Sequence, residues 1–557
     1  MTLLPFVLFL TPPAQAQDMV ENGDIVREAL AVQVTDEGFA VLEQLIADLV
    51  PTLLGDGLDL GALGNQSFDI PVVGTVSISG LELDLGVQSV SLQPTVDQLE
   101  LGVELAIGLN SPSNPFALDG AGCDTNGWID PFPTTLDMTV GIELYSGADG
   151  LKQFDVTLGE PNLEISISGG DINLPSDSFL EGLACGAVSN GLPFVLDLLF
   201  PTLIQPAIDP LILELEPTIE SALEAARFED SLEILDLMLD VSIQPEDVAI
   251  TPNGLELVYS SMFFAEPNAC FEAYDPGGFV ETGAGVPGIG GLPANVQVAA
   301  HVADELVGSA LHTVTTGGLL CYTVQEGDIP GIPFDASLIT LLGGEGYGEI
   351  LDEGSPLVVQ TEPRSVPVVA FGGTNDIDAR VDDLGINFYA SVDGRLARVI
   401  GVGVSGDAGV NLALDDQLGT LDAEIALDLA AFDFAVVPEV LVPGTAQDIE
   451  DGLSGLVETV AGSLLGDLLA PISIPLPAFE GFGLDSLLVS NAAASDWLTV
   501  TLGLGPVTYG SEGDALAGCA GGKGKKKGGG CDLGCTNGGL APLFWFVLPL
   551  AAIRRRR

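Results

Sequence analysis

Positive charge is what this chain has least of. Its 557 residues hold 15 Lys and Arg against 80 Asp and Glu, a formal net charge of −65 at pH 7. Lys523, Lys525, Lys526, Lys527 and Arg554 to Arg557 sit at the C-terminal end, so the body keeps only Arg27, Lys152, Arg227, Arg364, Arg380, Arg395 and Arg398. Nucleic-acid affinity rests largely on Lys and Arg contacts to phosphate, and a body this negative repels phosphate backbones and anionic head groups alike. Nucleic acid is excluded as a partner.

Groups that do chemistry are scarce as well. Histidine occurs twice, at His301 and His312 in one segment, where packing is the expected role. There is no G-x-S-x-G elbow, no H-E-x-x-H and no paired cysteine-histidine zinc spacing. Gly283 to Gly288 satisfies G-x-G-x-x-G as a string, but it follows no βαβ start and lies in a glycine-proline stretch, so it reads as linker. Asp119, Asp124, Asn126 and Asp130 gather around Gly127, yet their spacing departs from the twelve-residue calcium loop and acids are dense everywhere. The expectation is a protein that is not an enzyme and takes no cofactor and no metal.

The two ends carry targeting signals. Leu3 to Leu10 is an apolar run followed by Ala14-Gln15-Ala16, small residues at the two positions a signal peptidase reads, so cleavage before Gln17 and export are expected. At the other end come lysines among glycines, Cys531 and Cys535, an apolar stretch from Leu540 to Ile553, and four arginines. That stretch is shorter than the roughly 20 residues that span a bilayer comfortably, while the arginines fit a cytoplasmic stop. A processed tail fits better than a permanent span. The tail resembles the tripartite sorting signals of myxobacterial-type surface proteins (MYXO-CTERM). The resemblance implies a sorting protease, loss of the helix and a membrane anchor through a cysteine, Cys535 before Cys531, at the cell surface or outer membrane.

Seven cysteines in an exported chain point to disulfides. With three in the tail, Cys123, Cys185, Cys270 and Cys321 are left for the body. Order along the chain favours Cys123 with Cys185 and Cys270 with Cys321, although four cysteines allow three pairings.

A chain of this length with 47% hydrophobic residues can bury two cores, because single cores stop growing at about 250 to 300 residues. Leu30 to Val34 reads as a strand, and Thr35-Asp36-Glu37 then opens a helix whose stripe is Leu42, Leu45, Ile46, Leu49, Val50 and Leu53. The period next falls to two. Val76 and Ile78, with a bulge expected at Gly80, are followed by runs through Leu99 to Leu109, Met138 to Leu144 and Leu163 to Ile167, which predict a curved antiparallel sheet. A proline-spaced helical region follows, with Leu198 and Leu203 among its apolar positions. Strands resume at Leu235 to Ile243 and Leu255 to Phe263. After a glycine-proline linker the plan repeats: a strand near Val296, a helical stretch from Asp304, strands turning at Asp393-Gly394, and a last helix. Thr445 and Asp448 form a near capping box for that helix, and Ile449, Leu453, Leu456, Val460, Leu464 and Leu468 are its stripe.

This order, with the stretches Ala29 to Leu49, Leu192 to Phe264, Asn295 to Leu320 and Ile472 to Leu504, resembles the bactericidal/permeability-increasing and lipopolysaccharide-binding protein family of tubular lipid-binding proteins. Cys123 and Cys185 also sit roughly where that family places its single bridge. The resemblance implies an α+β fold: two curved antiparallel β-barrels, each wrapped around a long helix, joined by a central sheet into a boomerang. The expected segments are a signal peptide (1–16), a first barrel (29–265), a linker (266–294), a second barrel (295–508), a spacer (509–535) and a sorting tail (536–557). The implied partner is a lipid or other apolar small molecule, with Leu42, Leu45, Leu49, Leu53, Leu198, Leu203, Leu456, Val460 and Leu464 lining its pocket. Burying an acyl chain of some fourteen carbons yields about 10 kcal/mol at roughly 0.8 kcal/mol per methylene, so an apolar tunnel suffices. The family's endotoxin binders are described as using basic residues at the first barrel's tip, and this chain has almost none in its first half. The expected function is therefore extracytoplasmic lipid binding or transfer, with a ligandless structural or adhesive surface protein as the alternative.

Overall fold

The computed structural model describes residues 19–44, 66–176, 182–190, 216–271, 279–325, 334–453, 472–490 and 496–506, apart from short interruptions inside these ranges. The expected leader, spacer and sorting tail lie outside the described residues, with Cys531 and Cys535. So do the proline-spaced region with Leu198 and Leu203, and the last stripe beyond Leu453.

Strands dominate. Three large antiparallel sheets contain nine, eight and eight strands. Nine strands position the site: β1 (Ile25–Thr35), β2 (Leu237–Thr251), β3 (Gly254–Phe264), β4 (Val298–Ala303), β5 (Ile377–Val392), β6 (Arg395–Asp415), β7 (Thr420–Leu427), β8 (Phe482–Ser490) and β9 (Trp497–Pro506). Helices α1 (Asp304–Thr316) and α2 (Ala336–Gly343) are short.

The first-half sheet centres on the 22-residue strand Thr125–Ser146, paired with Leu99–Leu109 on one side and Lys152–Leu158 on the other. Leu136, Met138, Val140 and Ile142 are buried while Asp137 and Glu143 are exposed, the period of two expected for a sheet with one wet face. Gly80 is not a bulge inside one strand. Its φ of +73 redirects the chain between two strands: Gly74–Ser79 pairs with Phe116–Asp119, and Leu83–Pro94 pairs with Leu99–Leu109. Glycine alone takes that conformation without steric cost. The bulge itself lies between Val87 and Ser89.

Both halves build the central sheet. Its order is Phe228–Ile234, β2, β3, β1, β4, β9, β8, Ala478–Phe479, so β1 of the first half pairs directly with β4 of the second. The joint runs from Leu30–Val302 to Val34–Val298 and is centred on Val32–Ala300. A shift of 268 positions carries Gln33 onto His301 and Asp36-Glu37 onto Asp304-Glu305, and it exchanges the two ends of the joint. The repeat in the sequence is therefore a local two-fold in the sheet.

Each central strand runs straight into a helix, at residue 36 and at Asp304. Gly38 shows why the first helix needs a glycine after its acidic pair: a Cβ there would lie 2.3 Å from the Gln297 carbonyl oxygen and 2.9 Å from Val34. Gly38→Ala should lower stability by about 2 kcal/mol, read from the urea midpoint at unchanged slope, because backbone must move to admit the methyl. An unchanged midpoint would mean the helix start can retreat without cost.

The main core fills the first-half sheet and one face of the central sheet, where Leu30, Val32, Val298, Val302, Leu498 and Val500 meet. A smaller core at the far end of the second-half sheet joins Leu338, Ile339 and Leu342 of α2 to Ile400, Val402, Ile449 and Leu453. The β5–β6 hairpin turns at Asp393-Gly394, with φ of +51 and +74, the two-residue turn whose twist matches the flanking strands. The last helix begins at residue 446, but Thr445 does not cap it as a capping box would. Its hydroxyl donates to the Val442 carbonyl at 2.8 Å and so ties the helix back to the preceding turn.

No sheet closes on itself among the described residues, and no described helix is long. The architecture is thus three antiparallel sheets with few helices. The closed barrels and long wrapped helices expected from the sequence are not found within the described residues.

Candidate ligand-binding site

The central sheet meets the second-half sheet along a seam. On one side, β8 pairs with β9 throughout but with Ala478–Phe479 only at Phe482 and Gly483, so among the described residues Ser486 to Ser490 has no strand on its other edge. On the opposite side, β5 stops pairing with β6 at Val410, while β7 continues along β6 to Asp415. Leu412 to Leu414 therefore presents a second strand edge. Between the two edges lies a cleft of about 500 Å³, open to solvent and lined by Leu412, Ala413, Leu414, Leu487, Leu488 and Val489, with Asp376 and Ser486 as its polar points.

The local sequence accounts for this arrangement. Leu412 and Leu414 share one face of β6, as Leu487 and Val489 share one face of β8, and all four pack partly buried on the main core. Leu488, on the opposite parity, is 65% exposed. Asp376 replaces the missing strand: its Oδ2 accepts the Leu412 N–H at 2.8 Å, and its own N–H donates to Asn411 Oδ1 at 3.3 Å. Such a cleft falls within the few hundred to 1,000 Å³ typical of small-molecule sites.

The other face of the central sheet carries a buried polar row across the joint. Gln33 and His301 are 0% and 1% exposed. Gln33 Nε2 donates to Glu256 Oε2 and to the Pro287 carbonyl, both at 2.5 Å, which leaves its Oε1 as the acceptor for His301 Nε2–H at 2.9 Å. His301 Nδ1 then takes the Thr499 hydroxyl at 2.9 Å, so the imidazole is neutral in a defined tautomer. Burial pushes its pKa down to about 4. Burial, partly countered by the Gln33 hydrogen bond, raises the Glu256 carboxyl above its usual range. Asp304, at the start of α1, is pushed up to about 8, first by burial and then by its hydrogen bond with Glu305. Gln33 donates to the Pro287 carbonyl, so residues 285–288, the described part of the G-x-G-x-x-G string, lie against the central sheet and lead into a short turn at Ile289–Gly291.

The nine leucines and valines expected to line the pocket, Leu42, Leu45, Leu49, Leu53, Leu198, Leu203, Leu456, Val460 and Leu464, all lie outside the residues whose side chains are described. The cysteines pair as Cys123–Cys185 and Cys270–Cys321. The first staples the turn before Thr125 to the helical residues 184–190, and the second ties the linker's start to the end of α1. Asp119, Asp124, Asn126 and Asp130 do not converge on a common point: Asp124 accepts the Gly120 N–H, and Asp130 accepts from Trp128 and Asn173. Among the described residues no group of three or more His, Cys, Asp or Glu could hold a metal.

The seam residues of β8 and Asp376 were missed in the sequence. The alternation Ser486-Leu487-Leu488-Val489-Ser490 was the available signal.

The chain matches no protein-family model and no curated protein. Among solved structures it is similar to lipopolysaccharide binding protein at 14% identity, over 86% of this chain and 100% of that one, with a TM-score of 0.46. It is also similar to P47 of Clostridium botulinum E1 at 7% identity, over 86% and 99%, with a TM-score of 0.26. P47 from Clostridium botulinum A2 follows at 8% identity, over 85% and 96%, with a TM-score of 0.24.

Proposed function

We propose that this protein is an exported lipid-binding or lipid-transfer protein that takes an acyl chain or other apolar tail into the seam between its central and second-half sheets. The observation that carries the reading is the cleft itself: a space of about 500 Å³ between two strand edges, whose leucine and valine side chains pack on the main core. Each methylene moved from water into it contributes about 0.8 kcal/mol, and a chain of a dozen carbons outweighs the several kcal/mol that association costs. In this reading the two halves form barrels around their long helices, and the leucine stripes from Leu42 to Leu53 and from Leu456 to Leu464, with Leu198 and Leu203, extend the apolar lining inward. The C-terminal tail holds the protein at the cell surface through Cys535 or Cys531 after a sorting protease removes the helix. No catalytic step is assigned to it.

Organic extraction of the purified protein followed by mass spectrometry should recover lipid in near-stoichiometric amount, and a fluorescent-tailed lipid should exchange into the emptied protein. Ala413→Trp, which sets an indole at the exposed side of the cleft's lining, should weaken that exchange about tenfold or more while leaving the thermal midpoint close to the parent's. Neither co-purifying nor exchangeable lipid would favour a structural or adhesive surface protein whose interior is filled by its own side chains.

A further inference from the structure

Among the described residues that line the cleft one side chain is charged, and its sign bears on the ligand's head. We infer, on the basis of lipid binding at this seam, that the amphiphile bound there has an uncharged or cationic head group and that anionic amphiphiles are rejected.

Asp376 is held at the cleft wall through its carboxylate, which accepts the Leu412 N–H, and through its backbone N–H, which donates to Asn411 Oδ1. Ser486 lines the same cleft and supplies a hydroxyl that can donate or accept. Among the described lining residues there is no Lys or Arg. Two arginines of the second-half sheet are engaged elsewhere: Arg364 contacts Asp383 at 3.2 Å, and Arg380 contacts Asp382 at 2.8 Å with Asp407 at 3.9 Å. The net charge of −65 adds a background of the same sign as Asp376. Low-dielectric walls extend the reach of both.

Every apolar tail gains by entering, whatever its head. A carboxylate, sulfate or phosphate head would come to rest beside the Asp376 carboxylate, with no Lys or Arg among the described lining residues to receive it. A hydroxylated head can donate to Asp376 and pair with Ser486. An ammonium head gains directly from the carboxylate. The head group therefore sets the ranking among ligands of equal tail.

The test uses the full-length protein and three amphiphiles of one chain length: a monoacylglycerol, an alkyltrimethylammonium and a fatty carboxylate. Each competes, below its aggregation concentration and at mildly alkaline pH, against a fluorescent-tailed monoacylglycerol. The first two should compete at least about tenfold better than the carboxylate, and the gap should shrink as salt is added. Asp376→Asn keeps an oxygen for the Leu412 N–H and should narrow the advantage of the ammonium. Asp376→Lys should shift the ranking toward the carboxylate. A carboxylate that competes as well as the monoacylglycerol overturns the inference, and so does a ranking unmoved in both variants; in either case lipid binding itself stands. If none of the three binds, the proposed function fails and the inference with it.

Discussion

Replacing both Cys123 and Cys185 with serine should cost about 4 kcal/mol of stability, the largest loss expected from any pair of substitutions of such similar size. The bridge closes a span of 62 residues, and in the chain-entropy model a loop of that length restricts the unfolded chain by about 4 kcal/mol. Burial adds to this. Cys123 is 0% and Cys185 2% exposed, both within the main core beside Phe116, Leu118 and Val188. Two serine hydroxyls there would need partners that apolar neighbours do not supply. The turn they secure is also costly to hold, since Gly120, Ala121 and Gly122 all have positive φ. The Cys270–Cys321 bridge closes a similar span of 51 residues, but its sulfurs lie in only partly buried residues at the linker. Its removal should therefore cost less, with the difference reporting burial rather than chain entropy. Non-reducing urea titrations of the two double variants measure both. A loss below about 1 kcal/mol for the Cys123–Cys185 pair would mean that strand pairing alone holds that turn.

How far the sequence could be read depended on the range of the interactions involved. Alternation of Met138, Val140 and Ile142 showed a half-buried strand, because one strand's wet and dry faces are written in neighbouring residues. Asp393-Gly394 showed its hairpin for the same reason. Gly80 showed that the chain changes phase but not how, since a bulge and a turn both use a glycine with positive φ. The seam was illegible as a site: it depends on where β5 stops pairing with β6 and where β8 loses its neighbour, and no local pattern records either end. The polar row was half legible. Gln33 in AVQVTDE and His301 in AAHVADE occupy the same place in the repeat, so a two-fold arrangement of those segments would bring them together, but only the β1–β4 register makes them partners.

That row gives the joint a pH dependence with two opposing signs. His301 has a folded pKa of about 4, below the ordinary 6.5, because burial penalises the imidazolium. Between those values the unfolded chain binds the proton and the folded chain does not, so stability falls as pH drops from about 6.5 to about 4. At 1.36 kcal/mol per unit that is about 3 kcal/mol, lost in full below pH 4. Asp304 runs the other way. Its folded pKa is raised to about 8 from 3.8, so the stability of its protonated form is present below about pH 4 and lost as pH rises toward 8. The groups around the imidazole are neutral at its two nitrogens, Gln33 and Thr499, with Trp497 edge-on at 6.5 Å. The nearest ionisable neighbour through the row is Glu256, itself raised, so it offers the imidazolium little charge in acid. His301→Gln keeps a side chain that can hydrogen-bond to Gln33 and cannot be protonated in this range. It should flatten the stability curve between about pH 6.5 and 4 and leave the alkaline limb alone. Asp304→Asn should do the reverse, raising stability between about pH 6.5 and 8, where His301 is neutral in both states. Chemical denaturation of the parent and both variants across this range separates the two limbs. An acid limb that survives in His301→Gln would place the proton on another group of the joint.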